Sequence, residues 1–357
     1  MDVDTTLGTA APVSPLLAVH GAVPAEGLDA GVAWHYGDPV VEQRLLVAGR
    51  AVVDCSNRGV LTVAGPDRRS WLHSLTSQHL QDLAPGEGAE ALVLSPHGHV
   101  EFSLHAVDDG ETTWITVEPG TAPALTAWLD RMRFMLRVEV ADVTDAWAVV
   151  AAAVPAGADL PATLAVPDGA PPAWQDPWPL RGQLSASYAA VPDDEHPGLD
   201  RPWREVLVPR SALVDVVAAT PLAGTWAADA LRVAAWRPRL GFETDHRTIP
   251  HEVDWLRTAV HLQKGCYRGQ ETVARVHHLG RPPRRLVLLH LDGSDHSLPA
   301  RGAAVLFGER QVGFVTTPAR HHELGPVALA LVKRSTPADA VLAVDGLAAA
   351  QEVVVAP

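Results

Sequence analysis

The sequence predicts an α+β protein that ends in a small β-barrel. Three observations support this prediction: extended segments separated by turns between residues 59 and 118, an apolar helical stripe that begins near Thr121, and short strand-like runs from Arg284 onward. Strands that follow one another through tight turns are typical of antiparallel sheets, and a terminal group of them is typical of a small barrel. With 357 residues, the chain is long enough for two or three packed units.

The first regular pattern begins after residue 45. Residues 1–45 lack a sustained period and predict a partly irregular leader. Residues 59–64 predict a strand, and Gly65-Pro66-Asp67 then begins a helix with apolar residues on one face. Further strands of an antiparallel meander are predicted over 91–94, 100–107 and 113–118.

The second helix begins at Thr121 and Pro123, and its apolar residues recur every three to four positions. That stripe faces a core. We therefore predict a first domain over 46–150, a second α+β domain over 151–281 and a C-terminal β-barrel over 282–357. The strands of the barrel are predicted over 286–291, 303–307, 312–316 and 327–332.

Composition excludes several classes of protein. The formal net charge of -14 argues against a protein coated for general nucleic-acid or anionic-membrane binding. Two cysteines, Cys55 and Cys266, cannot form a disulfide framework, and the absence of C-x-x-C and His-Glu-x-x-His motifs predicts no metal site. An acidic N-terminus and short apolar runs predict neither a signal peptide nor a membrane span, so a reducing cytoplasm is the expected location.

Rare residue types cluster in one segment. The chain has two lysines, two cysteines and three tyrosines, and Lys264-Gly265-Cys266-Tyr267 contains one of each within four residues. A thiol beside an ammonium group has the neighbour that favours reactive thiolate. By contrast, the other cysteine, Cys55, is best interpreted as a small buried hydrophobic residue.

The same segment begins a locally basic run. From Lys264 to Arg285 the formal charge is +5, which predicts a local site for an anion. A polyglutamate tail, a phosphate or a nucleic-acid backbone would each suit it, and a solvated surface turn is the simpler alternative.

The run Lys-Gly-Cys-Tyr-x-Gly-Gln-Glu at 264–271, followed by Ala274-Arg275, resembles the signature of the YgfZ-type folate-binding proteins. These are relatives of the T-protein, the aminomethyltransferase of the glycine cleavage system. Upstream, residues 54–59 and 61–65 resemble the opening folate-side strand and loop of that superfamily, and residues 94–99 resemble its next turn. The resemblance spans roughly residues 45–357.

This resemblance implies a ring of three units, with two ferredoxin-like domains and a C-terminal β-barrel around a central hole that holds tetrahydrofolate or another reduced folate. It implies an accessory protein in iron–sulfur cluster assembly or repair, which supports enzymes such as tRNA methylthiotransferases and has cluster proteins or assembly factors as partners. Cys266 would be the functional thiol, favoured in its ionised form by Lys264 and Arg275. The loop would be shaped by Gly265 and Gly269 and held by Gln270 and Glu271. Folate contacts are expected from Asp54, Asn57, Arg58, Trp226, Trp236 and Tyr267.

Two positions depart from the superfamily pattern. A glutamate that faces the pterin in relatives is replaced within Leu231-Arg232-Val233-Ala234, and an aspartate beside folate N5 is replaced near Phe102 and Ser103. Glu101 is adjacent, but strand alternation predicts that it points to the other face. Without both carboxylates, one-carbon transfer is expected to be lost. Folate-dependent aminomethyl transfer therefore remains the alternative function, and a tRNA-binding modification factor is a further one.

Overall fold

The computed structural model describes residues 12–293 and 297–357. Residues 1–11 of the predicted leader lie outside this description. The rest of the leader packs on the protein, with Leu16 and Val32 buried. Its elements are 3-10 helices at Pro15–Ala18 and Gly27–Asp29, the strands β1 (Val23–Pro24) and β2 (Ala33–His35), and the helix α1 (Pro39–Val47).

The first large sheet is entirely antiparallel. The strand β3 (Val52–Asp54) precedes it and belongs to another sheet. The sheet has the order β5-β6-β7-β4-β8, and two helices cover one of its faces. The elements are β4 (Gly59–Ala64), α2 (Arg68–Leu75), β5 (Gly88–Leu94), β6 (Val100–Asp108), β7 (Thr112–Val117), α3 (Ala122–Met132) and β8 (Glu139–Asp142).

Apolar periodicity explains these elements. Trp71 and Leu72 of α2 and Leu125 and Leu129 of α3 are buried in one cluster with the inner face of the sheet. Because such stripes cover one side of a helix, each helix lies flat on the strands. The predicted strands and helices of this region are confirmed, with ends shifted by a few residues.

The second sheet has the order β10-β11-β9-β3-β12, and only the β12–β3 pair is parallel. One strand of this second sheet, β3, comes before the first sheet in the sequence. Short 3-10 helices lie at Asp193–Glu195, Pro197–Asp200, Arg210–Ala212 and Pro250–Val253. The remaining elements are β9 (Trp147–Ala152), β10 (Trp174–Gln175), β11 (Arg204–Pro209), α4 (Leu213–Val217), β12 (Leu222–Ala223), α5 (Thr225–Ala234), α6 (Leu256–Ala259) and α7 (Gln270–Leu279).

The C-terminal strands close into a barrel in the order β13-β16-β15-β14-β17-β18. Alternate residues of β13 serve two cores: Val287 and Leu289 fill the barrel, whereas Leu286 and Leu288 pack outward against the second unit. The strands are β13 (Arg284–Leu291), β14 (Ala304–Phe307), β15 (Arg310–His321), β16 (Gly325–Lys333), β17 (Val341–Val344) and β18 (Leu347–Val353).

The predicted α+β class and the C-terminal barrel are therefore confirmed. The exact domain boundaries at 150 and 281 stay predictions. Among the described residues, no helix is long and apolar enough to cross a membrane.

Candidate functional site

A central cavity lies between the two five-stranded sheets. The cavity is partly open to solvent. Its wall draws on the leader, both sheets, α5 and the loop after α5. The polar residues of the wall are Asp29, Asp54, Asn57, Arg58, Glu90, Ser103, His105, Glu118, Asp176, Arg201, Glu205, Thr225, Asp229, Arg232, Arg237 and Arg239.

Two arginines of the loop after α5 cross-link the cavity wall. Arg237 Nη2 lies 2.8 Å from Glu90 Oε1 and 3.1 Å from Asp176 Oδ1. Glu90 also accepts hydrogen bonds from Trp255 Nε1 at 2.8 Å and from Thr258 Oγ1 at 2.5 Å. A fully buried carboxylate is therefore held by donors from three side chains, which is what keeps a charged group stable away from water.

Arg239 makes a second cross-link. Its guanidinium lies 2.7 Å from Asp29 Oδ1 in the leader and 2.9 Å from Glu118 Oε2 after β7. These two carboxylates hold the pKa of Arg239 well above its ordinary value, although burial opposes the charge. The leader is thus tied to the cavity by charge as well as by apolar packing.

Glu205 of β11 is a buried acid of the cavity wall. It accepts hydrogen bonds from Arg58 Nη1 at 2.5 Å and from Thr116 Oγ1 at 2.8 Å, and His105 Nδ1 lies 3.0 Å away. Burial alone would raise the pKa of Glu205, but the charge of Arg58 and the contacts with His105 and Thr116 outweigh it and hold that pKa far below the usual range. Glu205 is therefore ionised at neutral pH.

Three sequence-predicted folate residues line this cavity. Arg58 pairs with Glu205, Asn57 Nδ2 lies 3.4 Å from the carbonyl oxygen of Ala30, and Asp54 accepts hydrogen bonds from Ser14 Oγ and the backbone N–H of Ser56. Burial raises the pKa of Asp54.

Cys55 also lines the central cavity. Burial raises the pKa of the Cys55 thiol well above its ordinary value, so this thiol stays protonated. A neutral, desolvated thiol agrees with the interpretation of Cys55 as a small packing residue.

The two tryptophans that were predicted to contact folate lie outside the central cavity. Trp236 is buried in the core beside Trp178, and Trp226 stacks on Trp34 at 4.5 Å in an outer groove that meets the central cavity at Asp229. Neither indole belongs to the described wall of the central cavity. The indoles that do line it are those of Trp203 and Trp255, and the sequence has no signal that separates them from the other tryptophans.

Carboxylates at other positions line the cavity, although the two carboxylates of the superfamily pattern are absent. Seven carboxylates line it, all from positions other than the two departures noted above. Phe102 packs into the core of the first sheet, and Ser103 lines the cavity. Glu101 lies at a shift in the register between β5 and β6, and its carboxylate pairs with Arg268 at 2.6 Å. Glu101 does not belong to the described wall of the cavity. The expected loss of one-carbon transfer stays a prediction, although other carboxylates line the cavity.

The cysteine segment lies on a separate loop between α6 and α7. Cys266 is exposed on this loop, whereas Tyr267 is buried in the largest core cluster. Gly269 has φ +82, and a Cβ there would lie 2.5 Å from the carbonyl oxygen of Ser95. The loop thus docks against the turn between β5 and β6, and Tyr267 and Gly269 anchor it on either side of Arg268.

The two predicted activating cations have other partners. The buried ammonium of Lys264 donates hydrogen bonds to the carbonyl oxygens of His73, Thr76 and Gln78, at the C-terminal end of α2. The guanidinium of Arg275 pairs with Glu271 at 2.7 Å on the exposed face of α7. These contacts anchor the loop and the helix, and ionisation of Cys266 by either cation stays a prediction.

The basic run is largely neutralised in three dimensions. Arg268 pairs with Glu101, Arg284 pairs with Asp245 and Glu252, and the side chain of Arg285 is buried. A formal sum along the sequence therefore overstates the exposed positive charge. Among the described residues, no group of three or more metal-ligating side chains is positioned to hold an ion.

The fold of this chain is a known one. Over 96% of this chain and 95% of that one, the structure matches the glycine cleavage system aminomethyltransferase T from Bartonella henselae, with a TM-score of 0.73 and 18% identity. The fold is therefore the aminomethyltransferase T fold. Residues 18–169 also match the family model of the GCVT N-terminal domain.

Curated relatives agree with this class. An aminomethyltransferase from Thermus thermophilus is 27% identical over 78% of each chain, and one from Synechococcus is 28% identical over 82% of each. The Arabidopsis thaliana protein named "Putative transferase At1g60990, chloroplastic" is 27% identical over 75% of this chain, and the match spans 62% of its own length. These findings support the T-protein superfamily, and the YgfZ-type assignment within it stays a prediction.

Proposed function

We propose that this protein binds a reduced folate in the central cavity and acts as an accessory protein in iron–sulfur cluster assembly or repair. The observation that carries the folate part is the cavity itself, which has paired carboxylates and two indoles in its wall. The cysteine segment, with an exposed thiol on an anchored loop, supports the accessory role.

The wall suits a reduced pterin in its chemistry. A pterin ring presents several N–H donors on a flat heterocycle, and carboxylate oxygens are the acceptors that pair best with such donors. Glu118 and Asp229, whose side chains keep 11% and 20% of their surface exposed, supply oxygens, and Trp203 and Trp255 supply flat apolar surface. When bound, the folate would supply one-carbon or redox chemistry, and this wall would orient it and exclude water.

Cys266 lies where a partner can reach it. Its side chain is exposed, and the loop is fixed by Tyr267 in the core and by Lys264 at the end of α2. One thiolate cannot hold a cluster alone. Any cluster contact therefore requires ligands from a partner protein or from a second copy, and tRNA modification is affected only through the iron–sulfur enzymes that the protein supports.

Calorimetry tests the folate part directly. We expect anaerobic titration of the reduced protein with tetrahydrofolate to give saturable binding at one site. An Arg58→Met variant leaves Glu205 without its closest charge partner and should bind more weakly, whereas Arg137→Met, at an exposed ion pair, should bind like the wild type. Absence of binding at concentrations near millimolar would refute the folate site.

Genetic complementation tests the accessory part. In cells that lack the native protein, we expect Cys266→Ser to leave iron–sulfur enzyme activity low, whereas Cys55→Ala, which keeps Cys266, should restore it. Full restoration by Cys266→Ser would remove the thiol from the proposal.

One observation favours the alternative function. The cavity contains seven carboxylates, and burial raises the pKa of Asp54. Carboxyl groups of this kind can exchange protons in group transfer. Turnover of an aminomethyl donor with tetrahydrofolate would establish an aminomethyltransferase, and its absence in protein that binds tetrahydrofolate would leave the accessory function.

A further inference from the structure

The imidazole of His105 is held rigidly on the wall of the central cavity. It stacks on Trp174 with ring centroids 3.8 Å apart and an interplanar angle of 4°. Its Nδ1 lies 3.0 and 3.1 Å from the two carboxylate oxygens of Glu205. A ring fixed by stacking and by a buried carboxylate keeps one orientation, which is the property of a group that positions a ligand.

Glu205 also determines the tautomer of His105. Nδ1 lies closer to the two oxygens of Glu205, at 3.0 and 3.1 Å, than to Arg58 Nη2, at 3.3 Å, and Arg58 already donates to Glu205 through Nη1. We therefore assign the proton to Nδ1, which donates it to Glu205. In the neutral ring, Nε2 then has a free lone pair. Within the described residues, the hydrogen bonds made by the ring all involve Nδ1.

Nε2 is placed on the side of the ring away from Glu205. His105 lines the cavity together with Ser103, which is two residues earlier on the same face of β6. The ring is only partly buried, with 12% of its side-chain surface exposed. A fixed acceptor at the wall of a cavity that is otherwise rich in paired ions is suited to a ligand N–H group.

We propose that His105 Nε2 is a ligand-positioning group that accepts a hydrogen bond from an N–H of a flat heterocycle in the central cavity. The ligand class is a heterocycle with ring or exocyclic N–H donors, such as a reduced pterin. This inference rests on the proposed folate site and adds to it a specific recognition contact and the orienting role of Glu205.

A matched pair of substitutions separates this role from a structural one. Asn is short, so His105→Asn keeps an N–H near Nδ1 for Glu205 but removes the atom at Nε2. Gln is longer, so His105→Gln keeps a polar atom near Nε2. We expect His105→Asn to weaken tetrahydrofolate binding about tenfold, the effect of one lost hydrogen bond, and His105→Gln to stay within about threefold of the wild type.

The control is His290→Asn, because His290 is also paired with a glutamate but lies on the barrel. It should leave the affinity unchanged. Urea unfolding of each variant, together with calorimetry at neutral pH, checks that the fold is retained. If His105→Asn folds and binds like the wild type, His105 serves only Glu205 and the inference is overturned.

If the variants fail to fold, a spectroscopic measurement on the wild-type protein tests the inference instead. In protein labelled with 15N at histidine, saturating tetrahydrofolate should shift the His105 Nε2 resonance and leave that of His290 in place. An unshifted His105 resonance in protein that calorimetry shows to be saturated overturns the inference and spares the folate site. Wild-type protein that binds no tetrahydrofolate overturns the folate site itself.

Discussion

Two single residues show that the charge state of a buried carboxyl group depends on its hydrogen-bond and ion-pair partners, and not on burial alone. Glu205 and Asp254 are both buried carboxyl groups. Glu205 has Arg58 and His105 against it, and its pKa is held far below the usual range. Asp254 accepts hydrogen bonds mainly from the backbone N–H of Tyr188 and from Ser187 Oγ, and burial raises its pKa to about 7. A neutral donor offsets less of the desolvation penalty than a cation does.

Asp254 gives a prediction at this scale. An unfolded aspartate titrates near pH 4, so between about pH 4 and about pH 7 the folded state binds a proton that the unfolded state has released. The contribution of Asp254 to stability is therefore present at low pH and falls as the pH rises to about 7. Asp254→Asn keeps the shape and cannot titrate.

We expect the free energy of unfolding of the wild type, relative to Asp254→Asn, to decrease between about pH 4.5 and about pH 7.5. Urea unfolding at the two pH values measures it. A difference between the two proteins that does not change with pH would contradict the assigned pKa.

The turn between β5 and β6 packs against the start of α7 through glycines, next to the loop that carries Cys266. The turn between β5 and β6 contributes Gly98, and the start of α7 contributes Gly269; both have positive φ. A Cβ on Gly98 would lie 2.8 Å from Thr272 Cβ, and one on Gly269 would lie 2.5 Å from the carbonyl oxygen of Ser95. The position of Cys266 is therefore determined by how closely this turn and this helix approach.

Gly269→Ala tests that contact. The added methyl strains a positive-φ position and collides with backbone, so we expect a loss of about 1–3 kcal/mol in the free energy of unfolding and a faster reaction of Cys266 with a thiol reagent. Gly265→Ala is the control, because nothing lies within 4 Å of its Cβ. Equal stability and equal thiol reactivity of the two variants would refute the docking role.

At the scale of the whole molecule, buried ion pairs join the units around the cavity. Arg239 contacts Asp29 of the leader and Glu118 of the first unit, and Arg237 joins Glu90 of the first sheet to Asp176. Because each pair is away from water, removing one partner leaves the other charge buried and uncompensated. The cavity wall is therefore also a joint between units.

Arg239→Met tests this joint. It leaves two carboxylates without their main cation, so we expect it to destabilise the protein by about 3 kcal/mol or more. Arg137→Met at an exposed ion pair is the control and should cost much less, because solvent screens that pair. Thermal and urea unfolding compare the two, and similar losses would show that the buried joint contributes no more than a surface pair.

The regular elements were predictable because their signal is local. Strand β4 and the stripes of α2 and α3 follow from the spacing of apolar residues within a few positions. The cysteine segment was also predictable, because its rare residue types are adjacent in the chain. The packing of Tyr267 and the capping of α2 by Lys264 were not, since both depend on elements that lie far away in the sequence.

The sequence by itself determined the α+β class, the C-terminal barrel and the one segment with an unusual thiol. Only the tertiary structure determined how the cavity is formed, because its charged residues pair with partners that are distant in the sequence. Arg237 and Glu90, for example, are 147 residues apart. Charge summed along the chain predicted a basic patch, whereas folding leaves paired and buried arginines there. The seven carboxylates of the cavity come from the leader, both sheets and α5, which are far apart in the sequence. Local periodicity is set by neighbours in sequence, whereas the state of an ionisable group is set by neighbours in space.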